Sequence, residues 1–130
     1  MTIYHLILEA TLGLTTFRFA TRYLESESLL PGFVAGYSRI HHDETRHIGY
    51  GVWFLRETVA ARPAAGGYVR GMLREVLPAV AASLSPGDGE GGPDLGRLAV
   101  SGEQIRTFAL DGLTRRAEII GVPLSSLADA

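Results

Sequence analysis

His41-His42-Asp43-Glu44-Thr45-Arg46-His47 decides how this chain is read. The stretch lies in a run patterned as a long amphipathic helix, with Glu44 and His47 three residues apart. At about 3.6 residues per turn, that separation leaves the two side chains about 60° apart around the axis and one turn above the other, so both can grip one ion. Steps of three and four extend the stripe through Tyr37, Ile40, His41, Glu44, His47 or Ile48, Gly51, Phe54 or Leu55, and Thr58. This is mostly the apolar face, which directs the carboxylate and the imidazole inward. An unpaired charge there costs several kcal/mol, so it needs a partner.

Two readings supply that partner. In one, the pair is an internal salt bridge or a hydrogen-bonded core histidine. In the other, Glu-x-x-His from one helix of a bundle joins a Glu from a neighbouring helix around a metal. The first helical run, Ile3 to about Leu24, is apolar nearly all round, yet it sets Glu9 among Leu6, Ile7, Leu8, Leu12 and Leu14. A second inward carboxylate on the adjacent helix favours the metal. Oxygen and imidazole ligands together suit iron or manganese, with zinc also compatible. A zinc-peptidase motif is excluded, because it needs two histidines four apart with Glu after the first. Here His42 and His47 are five apart and Asp43 follows His42.

The bounds agree with this reading. A chain of 130 residues suits one domain, 1–130, with a modest core. A hydrophobic share of 46% is high for a protein this small and implies surface to be buried against a partner. The net charge of −2 argues for neither nucleic acid nor a membrane surface. With no cysteine, disulfides, thiolate catalysis and iron–sulfur clusters are excluded, and any metal is held by oxygen and nitrogen. The opening Met1-Thr2-Ile3-Tyr4-His5 lacks the basic region of a signal peptide. The apolar run Ile3 to Leu14 contains Glu9 and is too short to span a bilayer, so the expected location is cytoplasmic.

Four helices are expected, over about 3–24, 33–61, 68–84 and 101–120. Leu29-Leu30-Pro31-Gly32 connects the first two, which makes them antiparallel neighbours, and this pair, 3–61, carries the ligands. Pro63 closes the second helix and Ala64-Ala65-Gly66-Gly67 reads as a linker. The third has Val69, Met72, Leu73, Val76 and Val80 on one side and a kink at Pro78. Residues 85–96 have the composition of a flexible loop. The last helix opens on a possible capping box, Ser101 with Gln104, turns Ile105, Phe108, Ala109, Leu113 and Ile119 inward, and stops at Gly121 before Pro123. Gly49 and Gly51 allow either close helix packing or room for a ligand. His5 reads as a surface or interface residue. His41 reads as a capped or surface histidine, or as one supporting the ligands, and His42 is left without a role.

These residues carry a resemblance. Tyr4 through Glu9, Leu30-Pro31-Gly32-Phe33, and Asp43-Glu44-Thr45-Arg46-His47-Ile48-Gly49-Tyr50-Gly51 resemble the second half of ribonucleotide reductase small-subunit-like ligand-binding oxidases, of the ferritin-like superfamily. The resemblance implies a four-helix bundle holding two metals, manganese with iron or two irons, that activates dioxygen beside a bound long-chain fatty acid. It puts Glu9, Glu44 and His47 on metal-ligand positions. Asp43 falls on the carboxylate that hydrogen-bonds a metal-bound histidine of the other half, and Tyr4 on the tyrosine that is cross-linked to a valine there.

The first half of such a protein has no counterpart here. Glu75, Glu90, Glu103 and Glu118 have no His three residues later, so one chain supplies three ligands where a dinuclear site takes about six. The valine is absent too, which argues against the cross-link. Either two copies pair about a two-fold axis, each giving Glu9, Glu44 and His47, or the chain is a truncated product or a fragment whose missing half comes from another polypeptide or is lost. The homodimer is favoured, because an isologous interface presents to each copy the surface it needs. The expectation is therefore an all-α, ferritin-like half-bundle of about four helices that completes a four-helix metal-binding bundle by dimerisation. It would share two iron or manganese ions between chains, with Glu44 bridging, His47 terminal and Glu9 in either role. Tyr4, or less directly Tyr50, is the oxidisable tyrosine, although α-helical geometry sets Tyr4 roughly 140° around the axis from Glu9. The alternatives are a non-catalytic ferritin-like metal-binding module and a metal-free helical remnant acting in protein interaction.

Overall fold

The computed structural model describes residues 2–84 and 101–127. The expected flexible loop, 85–96, falls outside them. Among the described residues the chain is all-α. A π-helical segment, π1 (Thr2–Gly13), continues into α1 (Leu14–Ser26); α2 (Pro31–Ala61), α3 (Pro63–Ser83) and α4 (Gly102–Ile120) follow, with a short 3-10 turn at Leu124–Leu127.

The first helix departs from the expected regular α-helix. A π-helix bonds each N–H to the carbonyl five residues back and widens the turn, and it usually occurs as a single-turn bulge. Here it runs for 12 residues. One buried threonine fits its spacing, Thr11 Oγ1 donating to the Leu6 carbonyl, five back, at 2.6 Å; Thr15 Oγ1, already in α1, donates to the Thr11 carbonyl four back. Neither hydroxyl is left unsatisfied in the core.

Between α1 and α2 the chain reverses through Ser28 and Leu30, both at positive φ (54° and 47°). Such non-glycine residues are individually costly, roughly 1–2 kcal/mol. Pro31 then occupies the first turn of α2, where its missing N–H loses nothing. The two helices pack antiparallel. Phe17 packs on Tyr37 with tilted rings whose centroids are 4.2 Å apart, Glu9 lies beside Glu44 and His47, and His5 lies against Gly51, so one residue number falls as the other rises.

The stripe read along α2 divides in two. Ile48, Val52 and Leu55 enter the core with Leu6, Ile7 and Ala10 of π1, Val69, Leu73 and Val80 of α3, Leu113 and Ile120 of α4, and Val122. Ile40, His47 and Phe54 instead face open solvent, and no residue of α2 before Ile48 is fully buried. The single chain is thus a half-bundle with one side uncovered.

α3 corrects the expected linker. Ala64 to Gly67 are helical, and α3 starts at Pro63, immediately after α2. Gly66 is buried there, packed towards Val59 and Val122, and a Cβ on it would sit in ordinary contact with Val59 at 3.5 Å. The helix runs through Pro78 without interruption. In α4 the capping box forms as expected, with Gln104 N–H donating to Ser101 Oγ at 3.1 Å and Ser101 N–H to Gln104 Oε1 at 2.9 Å. Gly121 closes the helix at φ 83°. Ile119, expected inward, is more than half exposed; Ala117 and Ile120, four and seven residues past the buried Leu113, continue its stripe and take the core positions.

Leu113 is fully buried. Leu113→Ala is expected to cost about 2–5 kcal/mol in urea unfolding, while Ile119→Ala changes stability by only about 0.5 kcal/mol; the two midpoints, measured at one protein concentration, check which face is packed.

Candidate metal centre

The candidate ligands come from two helices. Glu9 projects from π1, Glu44 and His47 from α2, and one donor atom of each lies within 4.8 Å of the other two. Two ligands on opposite sides of one ion with bonds of about 2.2 Å are about 4.4 Å apart, so little side-chain adjustment separates this trio from a coordinated state.

The three differ in exposure. The Glu9 side chain is 9% exposed, Glu44 27% and His47 61%. Sequence reading turns all three inward; in the single chain His47 lies on the rim, because nothing covers that side of α2. Glu44 Oε2 is buried and accepts no hydrogen bond. His47 Nδ1 lies 3.6 Å from it, too far for a hydrogen bond. A buried carboxylate oxygen without a donor beside a second carboxylate is the environment a cation relieves. Among the described residues, the fit to a divalent ion with oxygen and imidazole ligands rests on that atom.

Tyr4 is half exposed, yet bound to the site. A hydrogen bond to Glu9, then the negative charges of Glu9 and Glu44, push its phenol above the usual tyrosine range. The 140° separation expected from α-helical geometry does not hold. In a π-helix, residues five apart are hydrogen-bonded neighbours on one face, which brings Tyr4 beside Glu9. Tyr50 is exposed, its ring against Trp53 at 5.7 Å and Phe54 at 6.3 Å.

Sequence reading misplaces His5. Its side chain is 12% exposed, and Nδ1 lies 2.7 Å from Glu9 Oε2. The available signals were the four-residue spacing of His5 and Glu9 and the glycine on the ligand stripe of α2. A Cβ on Gly51 would lie 2.4 Å from His5 Cβ and Cγ, so of the two readings of that glycine the structure selects close packing. Gly49 has open space around it. Asp43 is exposed and pairs with Arg46 at 3.7 Å, a surface contact worth about 0–1 kcal/mol. His41 rests on the Phe17 ring at 5.7 Å, one turn before Glu44, and His42 is exposed.

No model of a known protein family matches this sequence. No helix among the described residues is long and apolar enough to cross a membrane.

Glu9→Gln removes the charge that raises the Tyr4 phenol, so its pKa is expected to fall toward the ordinary value near 10. Absorbance titration near 295 nm, differenced against the same protein carrying Tyr4→Phe, reads this; an unchanged midpoint would remove Tyr4 from the site.

Proposed function

We propose that this chain is half of a dinuclear metal-carboxylate protein of ferritin-like type, completed by a second copy, and that it acts as an oxidase on dioxygen. The carrying observation is the buried, hydrogen-bond-free Glu44 Oε2 beside Glu9 and His47. Charge balance supports two ions per dimer. Two copies bring four carboxylates, which two divalent cations neutralise, whereas a lone chain leaves two acids facing each other.

The uncovered side of the half-bundle supports the second copy. Tyr4 and Leu8 on π1, with Ile40, Tyr50, Trp53 and Phe54 on α2, are exposed large apolar residues on the two helices that carry the trio. Covering that surface would bury the apolar residues and the rim-lying His47 together, and an isologous pairing supplies a matching trio. In the dimer, Asp43 can hydrogen-bond His47 of the second copy and fix its ring, in place of its weak contact with Arg46. We place the protein in the cytoplasm.

In this reading Glu9, Glu44 and His47 of the two copies would together hold two iron or manganese ions. Such an ion pair, when reduced, supplies electrons to dioxygen. The chain's own residues govern the proton. The Tyr4 O–H bonds to the Glu9 carboxylate, which holds the phenol above its ordinary range, and oxidation of that phenol would release the proton to the same carboxylate. An apolar, fatty-acid-like ligand would lie among the residues the second copy covers, where Leu8 and Ile40 offer apolar contact.

Protein produced with iron and manganese is expected to carry about two ions per dimer by elemental analysis, and Glu44→Gln to lose them while staying folded. Less than one ion per dimer, with no gain on reconstitution, rules the site out. A Glu44→Gln protein that loses stability with unchanged metal content identifies a structural pair in a metal-free interaction module. Oxygen uptake by iron-loaded protein, with and without a long-chain fatty acid, separates an oxidase from a metal-binding module that turns over no organic substrate.

A further inference from the structure

We propose that His5 is a positioning residue of this metal centre: held in a notch made by Gly51, it bonds Glu9 and fixes the carboxylate for the ion. The proposal rests on the metal reading above and adds a residue that neither the ligand spacing nor the Glu-x-x-His pattern includes.

The imidazole is confined on every side the structure describes. On one side is the α2 backbone, with Gly51 buried against it. A Cβ there would lie 2.4 Å from Cβ and Cγ and 2.8 Å from Cδ2 of His5, so any other residue would displace the ring or part the helices. On another side the Tyr4 ring meets it edge-on, centroids 5.1 Å apart. Its Nδ1 reaches Glu9 Oε2 at 2.7 Å, short enough for a charge-assisted bond. An ionised carboxylate only accepts, so Nδ1 carries the hydrogen and donates it.

Glu9 is constrained in two ways. Its carboxylate offers about four lone-pair positions, and the bonds from His5 and Tyr4 take two of them, leaving the others for a cation. Its side chain has several rotamers in a free helix, and a bond from a ring that cannot itself move restricts them before any ion arrives. Partners of this kind, which orient a ligand without touching the metal, typically contribute about 10- to 100-fold in metal affinity. The wide turn of π1 allows the arrangement: Tyr4 and His5, five and four residues before Glu9, lie on either side of it on one face.

The test uses the full chain and Mn(II) alone, titrated by calorimetry at one protein concentration, with unfolding of each metal-free variant followed in parallel. His5→Leu fills a similar volume without a donor and is expected to bind Mn(II) about 10- to 100-fold more weakly. His5→Asn can place an amide N–H near the position of Nδ1 and is expected to recover most of that affinity. A purely structural role would not distinguish the amide from the hydrocarbon in this way. His5→Leu binding as tightly as the unaltered protein, or His5→Asn no tighter than His5→Leu, overturns the proposal. Glu44→Gln separates the two levels: if it binds Mn(II) as tightly as the unaltered protein, the metal reading fails, whatever His5 does. Should His5→Leu not fold, long-range ¹H–¹⁵N spectra of the unaltered protein decide: a hydrogen on Nδ1 of His5 supports the assignment, and a bare Nδ1 overturns it.

Discussion

Two carboxylates on neighbouring helices, Glu9 and Glu44, approach within 4.8 Å in a site that water only partly reaches. At about 4.8 Å and an effective dielectric near 20, like charges repel by about 3.5 kcal/mol, a sizeable part of the stability of a small domain. His5 and Tyr4 relieve Glu9 by hydrogen bonding, but Glu44 Oε2 has no such partner. The chain tolerates this arrangement if a cation enters. In our reading a cation organises the rest: α2 places Glu44 and His47 one turn apart, π1 lays Glu9 across from them, and Gly51 lets the two helices approach.

The same two helices have a second unmet need. Their core-facing residues are satisfied within the chain, through Leu6, Ile7, Ile48, Val52 and Leu55. Their ligand-bearing side is not, and a series of exposed aromatic and aliphatic residues flanks it. In our reading one event meets both needs, because a second copy would cover the apolar side and contribute the remaining ligands. Area burial and charge neutralisation would then be coupled, so that metal binding and association depend on each other.

Much of the fold was legible in the sequence, for physical reasons that also explain the failures. Periodicity identified the helices, and Pro31, Ser101, Gln104 and Gly121 marked boundaries, because proline geometry, reciprocal capping bonds and the left-handed glycine are local rules. Gly66 and Gly67 misled, since a glycine that packs against Val59 and one that frees a linker look alike in a linear string. Glu9, Glu44 and His47 could be grouped from spacing and apolar context, and the structure brings them together. Tyr4 was misplaced because its angle was drawn from 3.6 residues per turn, a period that π1 does not obey, and His5 because its four-residue spacing to Glu9 went unused. A side chain's angular position accumulates the error of every turn between it and its neighbour, so a wider turn moves Tyr4 from the far side of the helix to the site.

The central claim is that buried acids in one chain are balanced by cations shared with another. Native mass spectrometry of the manganese- or iron-loaded protein, before and after removal of metal by a chelator, tests it most directly. The account predicts a dimer carrying two ions that dissociates toward monomer as the ions leave. A monomer with or without bound metal, or a dimer indifferent to the chelator and free of ions throughout, would contradict it.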